Sequence, residues 1–102
     1  KAGFVTPRFQ GGNLEDFTIW ANSQVVVPET FDPDDGSRTV LVEFTVLTDG
    51  TLSDIHAVFG SNPDLNEAAV NAVAKSPVWE PGLFGGEKKS TRLTIPIVFE
   101  GE

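Results

Sequence analysis

The stretch Arg38–Phe59, RTVLVEFTVLTDGTLSDIHAVF, decides the fold. Its first half alternates without a break. Val40, Val42, Phe44 and Val46 fall on one face, and Leu41, Glu43, Thr45 and Leu47 on the other. A period of two over Arg38–Leu47 predicts a strand with one face in a core. Thr48-Asp49-Gly50-Thr51 follows, and Asp-Gly between β-rich runs is a hairpin signal, because both residues tolerate positive φ. The returning strand is Leu52–Phe59, with Ile55, Ala57 and Phe59 expected to face the same way.

Working outward, Asp64 and Glu67 have the spacing of a capping box, and Leu65, Ala68, Ala69 and Ala72 recur at helical positions. Ser76-Pro77 ends this helix. Val78–Gly82 reads as extended and then turning, Phe84–Glu87 as a glycine-rich loop, and Ser90–Glu100 as a last strand with Leu93, Ile95, Ile97 and Phe99 on one face. Upstream, residues 1–12 carry three Gly and a Pro without periodicity and read as a lead-in arm. Asn13 can cap a helix whose Leu14, Phe17, Trp20 and Ala21 share a face and whose pattern stops at Gln24. Glu29–Gly36 is an acidic loop.

The element order is therefore αββαβ within a domain spanning 13–100. The second and third strands cannot join by a tight turn, so they form a crossover, expected to be right-handed. The simplest solution is an α+β fold: a three-stranded antiparallel-type sheet, strand order 2-1-3, with two helices on one face. Phe44, Val42, Val46, Ile55, Leu65, Ala69, Ala72, Trp79, Leu93, Ile95 and Ile97 are its predicted core.

The 102 residues suit one domain, large enough to bury a core without metal or disulfide. The net charge of −8, with no Lys/Arg stripe, argues against nucleic acid and against contact with anionic membranes. Cysteine is absent, which removes disulfides, thiolate metal sites and thiol nucleophiles. No apolar run is long enough to span a membrane, and there is no signal peptide. The chain begins at Lys1 and reads as a piece of a longer protein.

No catalytic, cofactor or metal constellation stands out. His56, the one histidine, lies in a predicted strand with no nucleophile motif to serve, and reads as surface or core filler. Asp32-Pro33-Asp34-Asp35-Gly36 resembles a calcium loop only superficially, since its Gly falls at the fifth position rather than the sixth. Gly11-Gly12 and Gly85-Gly86 lack the residues of a phosphate-binding loop and read as turns. The fifteen acidic residues define no particular pair.

One ordered set of motifs is more specific. It comprises Phe9-Gln10-Gly11-Gly12, then Phe17 and Trp20, Pro28, Val42-x-Phe44-Thr45-Val46, Asp49-Gly50, and Ser53-Asp54-Ile55. It continues with Pro63–Ala69, Pro77-x-Trp79-x-Pro81-Gly82, and Ile95-Pro96-Ile97-x-Phe99. In this the chain resembles the TonB C-terminal domain family over residues 7–100. The resemblance implies the periplasmic end of a longer inner-membrane-anchored protein. It implies a non-enzymatic module without cofactors, whose partner is an outer-membrane TonB-dependent transporter and whose ligand is the transporter's TonB box. The box would add as a strand beside the domain's last strand. Carried onto this sequence, the partner-binding residues are Thr91, Arg92, Leu93, Thr94, Ile95, Pro96, Ile97 and Val98, with Gln24, Val27 and Pro28 nearby. A homodimer stays open. So does an accessory or sensor role at the end of another membrane protein, such as a sensor-type membrane metallopeptidase. The edge itself has few expected guards, Arg92 and Pro96 only, and Pro96 fits there if its nitrogen faces outward or sits in a bulge.

Overall fold

The computed structural model describes residues 3–29, 39–60 and 62–99. Its elements are β1 (Phe4–Val5), α1 (Leu14–Ser23), β2 (Thr39–Val46), β3 (Leu52–Phe59), α2 (Pro63–Ala74), β4 (Gly82–Phe84), β5 (Glu87–Lys89) and β6 (Thr91–Val98). The Asp32–Gly36 turn lies outside the described residues.

β2 forms as its alternation requires. Val40, Val42, Phe44 and Val46 are buried, while the residues between them are not. It is the centre of an antiparallel sheet of order β3-β2-β6, the expected 2-1-3 arrangement. Both helices cover its inner face, α1 over β6 and α2 over β3 and β2. α1 starts as predicted. Asn13 Oδ1 accepts from the Asp16 N–H at 2.9 Å, and the Asp16 carboxylate accepts from the Asn13 N–H at 3.0 Å. For α2 the cap is Asn62 rather than Asp64. Asn62 Oδ1 accepts from the N–H groups of Asp64 and Leu65, and Pro63 occupies the first turn, where it loses no helical bond.

Two expectations need correction. Phe59 does not face the core with Ile55 and Ala57; it pairs with Leu41 on the outer face and is 63% exposed. The cause is the break of register between Ala57 and Phe59, one of two in β3. Residues 57 and 59 oppose the adjacent pair 42 and 41, and residues 56 and 53 oppose 43 and 45, with Asp54 at φ +54. Each break inserts an extra residue and reverses the alternation. The second correction is a further sheet of order β1-β4-β5, where the sequence reads as an arm and a loop. Phe4 pairs with Phe84 and Val5 with Leu83. Gly85 and Gly86, both at positive φ, turn β4 into β5.

The predicted core is buried, with Ile55 and Leu93 only partly so. Phe9, Phe17, Ala21, Val40, Val73 and Phe99 complete it. At its centre Trp79 lies 4.7 Å from Phe17 and 5.7 Å from Phe44, centroid to centroid, and Phe9 closes the cluster. The indole N–H donates to Ser76 Oγ at 2.8 Å. The Trp79 backbone N–H donates to the Gly50 carbonyl at 2.8 Å. Gly50, at φ +88, is pressed so closely on the Trp79 carbonyl that a Cβ there would collide with it. In the same turn Asp49 accepts from the Thr51 hydroxyl and N–H, which holds its carboxyl below the usual range.

Phe44→Ala is expected to cost about 3–5 kcal/mol in denaturant unfolding; a variant as stable as the parent would mean that the faces of β2 are reversed. Gly50→Ala is expected to destabilise by about 1–3 kcal/mol through its positive φ alone, and the collision adds to that. Blue-shifted, quencher-protected fluorescence is expected to vanish in Trp79→Phe and to persist in Trp20→Phe. Equal quenching of both tryptophans would place Trp79 at the surface.

Candidate functional site

A three-stranded sheet has two outer edges, and here they differ. β3 carries both register breaks and the positive-φ Asp54, so its edge is bent and its bonding groups are uneven in spacing. β6 pairs with β2 without a break from Thr91↔Val46 to Val98↔Thr39. Its far side is a straight eight-residue edge.

Two hydrogen bonds fix which groups line that edge. The Asn22 Nδ2 donates to the Pro96 carbonyl at 3.1 Å, and the Val98 N–H donates to Asn22 Oδ1 at 2.9 Å. Both come from α1, on the side away from β2. Because the bonding direction alternates along a strand, Arg92, Thr94, Pro96 and Val98 turn their backbone groups outward, and Thr91, Leu93, Ile95 and Ile97 turn theirs to β2. Pro96 therefore sits where its missing N–H breaks no ladder bond, as the sequence requires. The N–H and C=O of Arg92 and of Thr94 have no partner among the described residues. Asn22 is a guard of this edge additional to Arg92 and Pro96.

Ile95 and Ile97 are buried beneath the helices, whereas the side chains of Arg92, Thr94, Pro96 and Val98 are exposed on the open face. Beside the edge runs an apolar groove of about 540 Å³ between α1 and the segment that follows it, lined by Ile19, Val25, Val27, Pro96 and Val98 with Thr18 and Asn22. Of the sequence-predicted residues upstream, Val27 is here. Gln24 and Pro28 line a separate groove of about 620 Å³ along α2, with Asp64, Glu67 and Lys75 on its rim. The Lys75 Nζ donates to the Gln24 carbonyl, which ties Gln24 to that side. Sequence reasoning missed Ile19, Asn22 and Val25. Ile19 did carry a signal, since it is an apolar residue off the buried face of its own helix and is 64% exposed.

His56 lies on the open face, paired across the sheet with Glu43. Its Nε2 is 3.1 Å from Glu43 Oε1, and its Nδ1 is 2.8 Å from the Asp54 carbonyl. Both ring nitrogens are thus engaged by acceptors of the same sheet. Among the described residues no three His, Asp or Glu side chains converge as a metal site.

Residues 37–100 match the family model for the Gram-negative bacterial TonB protein C-terminal. The fold is similar to the NMR structure of the Helicobacter pylori TonB C-terminal domain, residues 194–285, with a TM-score of 0.62 at 28% identity over 85% of this chain and 91% of that one. A longer form of that domain, residues 179–285, aligns with a TM-score of 0.62 at 25% identity over 92% of this chain and 89% of that one. No curated protein sequence matches the chain. With more than half of its length matched by the family model, the chain belongs to the TonB C-terminal family.

Proposed function

We propose that this domain captures the TonB box of an outer-membrane transporter by adding it as a strand to the outer edge of β6, at the periplasmic end of an inner-membrane-anchored protein that couples energy to import. TonB C-terminal domains are non-enzymatic, transport-associated modules of the Gram-negative periplasm that interact with outer-membrane transporters. The observation that carries the reading is the straight, unbroken β6 edge with the outward groups of Arg92 and Thr94 unpaired. Such an edge recruits an extended chain, whereas the bulged β3 edge does not.

Backbone pairing alone gives weak capture. Each bond contributes about 0.5–1.5 kcal/mol net, and few outward groups are open. The remaining affinity, and the choice of side chains, falls to apolar burial in the groove of Ile19, Val25 and Val27. Main-chain pairing makes the edge tolerant of sequence, and the groove makes it selective.

Titrating a synthetic TonB box peptide into isotope-labelled protein is expected to shift amide signals on Thr91–Val98 and in the Ile19–Val27 groove. Shifts confined to β3, or none at millimolar peptide, would overturn the reading in favour of an accessory domain with another partner.

A further inference from the structure

We propose that Asn22 sets the register of the incoming strand, as a fixed stop at the Pro96–Val98 end of β6. The proposal rests on the strand-addition reading above. A side-chain carboxamide carries the same donor and acceptor as a peptide group. Here it occupies the place of one rung, donating to the Pro96 carbonyl and accepting from the Val98 N–H. Its other hydrogen goes to the Thr18 carbonyl at 2.7 Å. These three bonds fix the orientation of the amide: turned over, it would set its NH₂ against an N–H and its oxygen against two carbonyls.

The stop is mounted rigidly. Asn22 follows the fully buried Ala21 on a helix whose Phe17 lies in the aromatic cluster. An incoming strand that displaced the carboxamide would recover two of the three bonds. It would then meet Pro96, which offers no N–H to the carbonyl opposite. The proline weakens the ladder by one bond there but does not end it, since the Pro96 carbonyl and the Val98 N–H could still pair; these are the two groups that Asn22 takes. What stays open is the pair of rungs at Arg92 and Thr94. A captured segment pairs there, leaves the sheet at Pro96, and so has its side chains placed in a single register.

The test uses amide hydrogen exchange and chemical shifts on labelled protein, wild type and Asn22→Ala, each free and saturated with a synthetic TonB box peptide. Asn22→Asp, which keeps the acceptor for Val98 but loses the donor to Pro96, serves as a second variant. Without peptide, Val98 is expected to exchange about tenfold faster in Asn22→Ala than in wild type, the loss of one hydrogen bond. With peptide, wild type is expected to gain protection at Arg92 and Thr94, while Val98 and the Asn22 side-chain NH₂ keep their shifts. In Asn22→Ala, protection is expected to spread to Val98. Peptide that moves Val98 and the Asn22 NH₂ in wild type, or a Val98 left unprotected in peptide-bound Asn22→Ala, would overturn the stop and leave strand addition standing. Peptide that protects no outward amide of β6 in any of the three proteins would overturn strand addition, and the stop with it.

Discussion

Trp79 is held from two directions, and much of the molecule is arranged around that. Its backbone N–H is bound to the Gly50 carbonyl in the hairpin turn, and its ring is packed against Phe17, Phe44 and Phe9. These contacts join the lead-in, α1, the central strand with the hairpin turn that follows it, and the connection after α2. Edge-on and tilted aromatic pairs add directional preference to apolar burial. The cluster therefore sets the angle at which α1 crosses the sheet as well as holding it down. Asn22 reaches the backbone of β6 only because that angle is fixed, so the composition of the core determines the chemistry of the edge.

The two sheets divide the structure by the way they are held. The β3-β2-β6 sheet is covered by both helices and has a continuous core. The β1-β4-β5 sheet is built of strands of two and three residues. Phe4 and Phe84 face each other across it, yet both stay more than half exposed. It is joined to the rest where Arg8 and Glu80 exchange backbone bonds, and at the buried Pro7 and Gly82. Little apolar area is removed from water there, so its stability is tied to the pairing of Arg8 with Glu80 rather than to its own side chains.

The sequence made β2, α1, α2 and β6 legible because each is long enough for its period to repeat, and the face assignments of Phe44, Ile95 and Ile97 follow from that alone. The short strands escaped because two or three residues express no period. Phe59 was assigned to the wrong face because a bulge reverses alternation without leaving a mark in composition. For the site, the strand and the outward set of Pro96 were readable, since proline's missing N–H constrains its direction. Asn22 was not, because its bonds reach Pro96 and Val98 across more than seventy positions by way of the fold. Gln24, Val27 and Pro28 came together from the family resemblance; of the three, Val27 lines the groove beside β6, while Gln24 and Pro28 line the one along α2.

The register breaks in β3 bear on assembly as well as on shape. A sheet with two regular edges can add copies of itself at both and grow without limit, as fibres do. Here only one side is straight enough to accept another strand. Whatever docks on β6 occupies the one edge of this sheet that is regular among the described residues, and a second copy placed there by a two-fold axis takes up that edge of both copies at once. Association through the edges of this sheet therefore ends after one added strand or one second copy.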